Sequence, residues 1–236
     1  MPLNKISREN SIRAQIKRAA ELLPKIEEEY QNSLHAQSID EELKLDIQTF
    51  CGHLRSALDY LAKDIVETHC PNANPRKRLY FPITSDAASF SNTMNQSYTD
   101  LSTNCTPIFN LLERIQPYQS NENKWLTQFN NVNNENKHND LVEQTRTETK
   151  TVEVKNKQGG GSVSWGSGVT FGSGVNVMGV PIDPRTQMPV PNNTTTTKVT
   201  TWVDFKFDGI NVSVIGLLKH TLNEITSIAD EIINEL

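Results

Sequence analysis

The sequence predicts a mainly α protein: a four- to five-helix bundle with a β-hairpin or small-sheet insertion before its C-terminal helix. Three observations carry this expectation. Stretches near both ends place apolar residues three and four apart, the period of a helix face. Residues 146–211 instead alternate Thr and Val at period two and hold nine of the eleven glycines. Residues 212–236 then return to the helical period. The expected organisation is 1–145 for the first helices, 146–211 for the Gly/Thr-rich insertion and 212–236 for the helix that completes the bundle.

The elements follow in order. Residues 8–36 carry Ile12, Ile16, Ala19, Leu23, Ile26, Tyr30 and Leu34 on one stripe, with Pro24 expected to kink or break the helix near Leu23. Ser38 and Asp40 can start a second helix, striped by Leu43, Ile47, Phe50, Leu54, Leu58, Leu61 and Ile65 and ending near Cys70-Pro71. A short link makes these two an antiparallel hairpin. Residues 71–104, rich in Pro, Asn and Ser, read as irregular, with Leu79-Tyr-Phe-Pro-Ile83 lying extended against the bundle. Thr106-Pro107 starts a short helix through Phe109, Leu112 and Ile115, stopped by Pro117. A helix from about 122 to 143 follows. The insertion pairs a strand over 147–156 with one whose Val199, Thr201, Val203, Phe205 and Phe207 share a face. Between them Trp165-Gly-Ser-Gly-Val169 and Phe171-Gly-Ser-Gly-Val175 form a six-residue repeat of short strands and Gly-Ser-Gly turns. The last helix carries Ile215, Leu218, Leu222, Ile225, Ala229, Ile232 and Leu236 and should pack back on the first hairpin.

Composition narrows the function. At 236 residues the chain can build one good core. A net charge of −5 and a pI near 5.6 argue against bulk nucleic-acid binding driven by counterion release, and leave local contact with RNA open. The insertion has a net charge of +2 and the remainder −7, which suggests two surfaces with different partners. No apolar run is long enough for a signal peptide or membrane span, so a cytoplasmic location and no membrane partner are expected. Cys51, Cys70 and Cys105 are odd in number and lie outside metal spacing, so they are expected to be reduced, with Cys51 in the core. His35, His53, His69 and His220 are scattered, and neither a zinc motif, a phosphate-binding glycine loop nor a nucleophile elbow is present. No metal or cofactor is expected.

The segment from Trp125 to Leu141 stands out. Trp125, Phe129 and Val132 have helical spacing, yet six of the ten residues from Asn130 to Asn139 are Asn. Each Asn disfavours helix by roughly 0.5 kcal/mol against Ala, so six handicap the segment by about 3 kcal/mol. Packing or a site must offset them. Asn130, Asn134 and His138 recur at four-residue intervals on one face, and Lys137 flanks the histidine. An imidazole beside an amide and an ammonium suits RNA chemistry: His138 as acid or base at a ribose 2′-hydroxyl, Lys137 stabilising the charge on phosphorus-bound oxygen, Asn134 orienting. The alternative is hydrogen bonding within the bundle. Arg55 and Asp59 sit four apart at the edge of the second helix's stripe, either as an intrahelical ion pair or with Arg55 leaning towards the Asn-rich helix as its missing cation. Asn130 and Asp59 are candidate substrate-binding residues on the same grounds. Arg76 and Arg78 make a solvated loop or a phosphate contact. Trp165 is a stacking platform on an exposed hairpin or part of a small core.

His53-Leu-Arg-Ser-Ala-Leu-Asp-Tyr60, Tyr80-Phe-Pro-Ile83, Ile115-Gln-Pro-Tyr118 and Trp125-Leu through Val132-Asn-Asn-Glu-Asn-Lys-His138 together resemble a recurrent bacterial helical-bundle family whose members are uncharacterised. The order of long helix hairpin, short helix and polar His-bearing helix also resembles the HEPN superfamily. That resemblance implies a dimeric, metal-independent ribonuclease tied to defence or toxin–antitoxin systems, with an Arg followed by four to six residues and then its His. Here Asn130 to Asn134 stand where that Arg would be, and only His138 carries over directly. Two functions are therefore expected as alternatives. One is a HEPN-like protein that binds RNA or a nucleotide, and cleaves RNA through His138, Lys137, Asn134 and Arg55. The other is a non-catalytic assembly module, a homodimer whose β insertion recognises a protein or small molecule.

Overall fold

The structure, a computed structural model, describes residues 7–36, 40–138, 144–207 and 212–236, and side chains within these except at 34–36, 135–138, 144–149 and 200–207. Two compact units emerge. The first comprises the described residues up to Thr145 and from Lys206 onward; the second is Arg146–Phe205. The protein is mainly α, with a small-sheet insertion before its last helix.

The first unit is organised by α1 (Glu9–Ala36) and α2 (Glu41–His69). Asp40 caps α2, its side chain accepting from the Glu42 amide at 3.0 Å. The stripe from Leu43 to Ile65 is buried along the helix length, so α2 is the central rod and touches α1, α6 and α7. The expected interruption at Pro24 does not occur: α1 is continuous through it. Pro24 is exposed, as is Ala20, so the carbonyl that a proline leaves without its helical donor sits on the solvent side, where water can satisfy it. Arg8 closes the hairpin. Its guanidinium reaches Asp64 at 2.6 Å and both oxygens of Glu67 at 2.7 and 2.8 Å, while its backbone N–H donates to Asp64 at 2.8 Å.

Residues 71–104 are more ordered than composition suggests. They contain α3 (Ala87–Ser97) and the short α4 (Leu101–Asn104). Asp86 caps α3 by accepting from the Ser89 amide and hydroxyl, both at 2.8 Å, and the helix buries only Phe90 and Met94. Two apolar residues among Asn, Ser, Thr and Gln are too few to show a period in the sequence. Then come α5 (Thr106–Arg114), a 3₁₀ turn at Asn121–Asn123 and α6 (Lys124–His138). The Leu79–Ile83 segment is neither helix nor strand and is anchored on the bundle, with Phe81 and Pro82 buried. Gln116, fully buried, holds it: its carbonyl accepts from the Thr84 amide and hydroxyl at 2.9 Å, and its amide donates to Pro82 O at 3.1 Å and Leu112 O at 2.7 Å.

The insertion has its own core. β1 (Gln144–Asn156) lies between β2 (Ser162–Gly166) and β6 (Thr195–Phe207), and β3 (Asn176–Val177), β4 (Val180–Asp183) and β5 (Met188–Pro189) form a second antiparallel sheet. Val152 pairs with Trp165 across β1 and β2, and both join Val154 and Ile182 in a buried cluster. Met178 and Gly179, with φ of 53° and 78°, join β3 to β4, the two-residue hairpin loop with left-handed backbone at both positions. The sequence repeat is not a structural repeat. Its first Gly-Ser-Gly turns the chain at the end of β2, where Val169 N–H donates to Gly166 O at 3.1 Å; its second lies in the loop before β3. The two aromatic positions meet edge-on, Trp165 and Phe171 with centroids 5.1 Å apart. In the first unit, the end of β6 pairs with β7 (Val212–Ser213), and α7 (Val214–Ile233) packs on α1, α2 and α6.

Two predictions follow from these ties. Gln116→Ala leaves the Thr84 amide and the Pro82 carbonyl without partners and should destabilise the protein by about 2–4 kcal/mol, read by urea unfolding. Glu67 is held below the usual carboxylate range, first by its hydrogen bonds from Arg8 and then by the charges of Arg8 and Lys63. Its folded value is thus lower than its unfolded one. The stability it contributes is complete above the ordinary Glu range near pH 4.3 and is lost as pH falls below it. Arg8→Met should flatten that acid limb in unfolding midpoints measured from roughly pH 6 to pH 3.

Candidate functional site

The second helix places Arg55 and Asp59 one turn apart, beside the buried Leu54 and Leu58. Arg55 is only 9% exposed. Its Nη2 lies 3.1 Å from Asp59 Oδ1 and its Nε donates to Oδ2 at 3.4 Å, a two-point contact. The other arm, Nη1, donates to Asn130 Oδ1 of α6 at 3.1 Å. Above the guanidinium lies Tyr80, with Cζ 5.9 Å from the ring centroid, within cation–π range. Asp59 Oδ1 also accepts the Phe81 backbone N–H at 3.1 Å. One carboxylate thus holds the arginine and the Leu79–Ile83 segment together.

The same segment is tied from its other side. The Tyr98 hydroxyl donates to the Tyr80 carbonyl at 2.8 Å. Burial, followed by the nearby charge of Asp59, pushes the Tyr98 phenol well above its ordinary value, with Arg55 opposing, so it remains a neutral donor. The result is an aromatic side chain, Tyr80, 54% exposed on a backbone pinned at residues 80, 81, 82 and 84. Tyr80 thus presents a large ring to water on a fixed backbone.

The structure brings Arg55, Asp59 and Asn130 into contact. Asn134 is exposed one turn beyond Asn130. Lys137 and His138 end α6, and their side chains lie outside the described residues, as does Leu141. Arg76 and Arg78 are exposed in the loop that leads into Tyr80. Trp165 belongs to the other unit and is 7% exposed in the insertion's small core, edge-on to Phe171, rather than an exposed platform. His53 binds Gln15 of α1, with Nδ1 2.6 Å from Oε1. Among the Asn residues of α6, Asn130 bonds Arg55, Asn133 is buried with Nδ2 unpartnered among the described residues, and Asn131 faces solvent.

Tyr80, Tyr98 and Gln116 were not singled out as site residues from sequence. The sequence carried no alternation signal for Tyr80, because its neighbours Phe81 and Pro82 are both buried. None existed for Tyr98, which lies in a segment that reads as irregular. Cys51, Cys70 and Cys105 are buried free thiols; burial pushes Cys51 up to about 12, and burial with the charge of Asp100 pushes Cys70 up to about 11, so both are protonated at neutral pH. Among the described residues no three His, Cys, Asp or Glu side chains converge as a metal site, and no helix is long and apolar enough to cross a membrane.

Arg55→Met removes the cation between Asp59, Asn130 and Tyr80. It should destabilise the first unit by about 2–3 kcal/mol, less than for a wholly buried pair because Asp59 keeps some water. Hydrogen exchange of the Phe81 amide should accelerate more than that of α2 amides, the sign that the pinned segment loosens locally.

Comparison of the chain with protein-family models, with curated proteins and with solved structures finds no match.

Proposed function

We propose that the helical unit binds RNA or a nucleotide, with the Tyr80 ring as the face on which a base stacks. The observation that carries this is the half-exposed aromatic ring on a backbone immobilised by Asp59, Tyr98 and Gln116. Aromatic faces accept any base, and such stacking contributes roughly 1–3 kcal/mol per base. Arg55 sits beneath as a positioning residue: its guanidinium is engaged by Asp59 and Asn130, so it acts through Tyr80. Arg78 and Arg76 lie two and four residues before Tyr80 in sequence and suit phosphate contacts. Asn134, exposed on α6, offers an amide to a base or ribose edge. On this reading His138 takes a proton from a ribose 2′-hydroxyl or returns one to the leaving oxygen, with Lys137 beside it, as in the HEPN-like expectation.

A second reading, partner recognition by the insertion, is favoured by one observation. Val163, Val169, Val190 and Val199 are each 43–44% exposed there.

Binding of a labelled single-stranded RNA, followed by fluorescence anisotropy, tests the first reading. Tyr80→Ala should weaken it by about 5- to 100-fold and Tyr80→Phe by far less. Equal binding by wild type and Tyr80→Ala would remove the platform. Incubation with total RNA tests the catalytic step: wild type should degrade it and His138→Ala should not. RNA left equally intact by both reduces the function to binding.

A further inference from the structure

A cavity of about 540 Å³ opens between the end of α2 and the Pro71–Leu79 loop. That volume lies in the small-molecule range. Four cations line it, Arg8, Lys63, Lys77 and Arg78, against one carboxylate, Glu67. Arg8 is fully engaged by Asp64 and Glu67. Even with both of those carboxylates counted, the surroundings keep two net positive charges, on a chain whose own net charge is −5. No hydrogen-bonded ion pair joins the remaining cations to a carboxylate among the described residues, although Lys63 lies within the field of Glu67. Lys77 donates to the neutral amide of Gln96, Lys63 lies 5.8 Å from the Tyr60 ring centroid, and Arg78 has no ion pair among the described residues. Val66, Pro75 and Leu79 give the same cavity an apolar wall.

Concave positive charge beside apolar surface selects an organic anion, and the size of the charge narrows the class. A phosphodiester carries one negative charge; a phosphomonoester carries nearly two at neutral pH and presents three acceptor oxygens. We propose that this cavity holds the terminal phosphate of a small phosphomonoester, with Lys63, Lys77 and Arg78 on the phosphate and Val66, Pro75 and Leu79 against the organic body. This deepens the nucleotide reading, on which it rests only for the identity of that body. It assigns a free phosphate end, such as that of a nucleoside 5′-monophosphate, rather than an internal link of a chain.

Calorimetric titration of the full chain tests it with three probes: adenosine 5′-monophosphate, its cyclic 3′,5′-diester and phenyl phosphate. The monoester nucleotide should bind at least about tenfold more tightly than the diester, the difference expected for one lost charge-assisted contact. Lys77→Gln with Arg78→Gln should abolish that preference; both residues are exposed, and an unchanged melting temperature confirms the fold. Equal affinity for monoester and diester, or a preference unmoved by the double variant, overturns the proposal. Binding of phenyl phosphate but of neither nucleotide supports the phosphate site and defeats the nucleotide reading. Tyr80→Ala that weakens both nucleotides equally, with the monoester preference intact, supports both readings. Failure of all three probes to bind overturns the cavity as a phosphate site, and the RNA-anisotropy arm still decides the Tyr80 platform separately.

Discussion

The carboxylate of Asp59 is the joint on which the first unit's exposed surface depends. One side chain on the central helix takes two contacts from Arg55 and one from the Phe81 amide. Through Arg55 it reaches α6, and through Phe81 it fixes the chain that carries Tyr80. An isolated i,i+4 ion pair on a helix surface contributes a few tenths of a kcal/mol. Here the arginine is nearly buried and each charged group has further partners, so the pair is part of a polar network in which each member's position depends on the others.

That network also accounts for part of the asparagine excess of α6. Leu126, Phe129, Asn130 and Asn133 fall at steps of three and four, so two amides occupy the stripe that faces the bundle. A leucine at 130 would pack, and would leave an Arg55 donor without its acceptor in a poorly hydrated place. The asparagine therefore stands at a position where a hydrogen-bond acceptor is needed more than helix propensity. For Asn133, whose buried Nδ2 lacks a partner among the described residues, we have no equivalent account.

Charge is distributed with the same economy. The loop 71–79 follows the C-terminus of α2, whose free carbonyls carry partial negative charge, and it returns Lys77 and Arg78 towards that end while Arg8 comes in from the start of α1. Arg8 is absorbed by Asp64 and Glu67 and closes the hairpin; the other cations are left facing a cavity. The insertion is built separately. Of the two readings its aromatic residues allow in sequence, a stacking platform or a small core, Trp165 takes the second with Phe171 packed against it, and the large exposed apolar groups among its described residues are valines.

By itself the sequence determined the elements whose apolar residues repeat many times. The stripes of α1, α2 and α7 span five or more turns, and the Thr/Val alternation with its glycines spans the insertion, so period alone separates helix from strand. It also paired Arg55 with Asp59, because a four-residue step on a helix fixes proximity. Local pattern could not supply α3, where two buried residues make no period and an Asp86 cap does the work, nor the continuity of α1 through Pro24, which rests on which side of the helix meets water. Tertiary structure alone decided the surroundings of Tyr80. Asn130 is 75 residues from Arg55, Tyr98 is 18 from Tyr80 and Gln116 is 34 from Pro82; contacts at such separations are set by how helices pack, and no spacing in the chain encodes them. The placement of Trp165 was decided in the same way, since an aromatic beside a Gly-Ser-Gly turn reads alike whether it points to water or into a core.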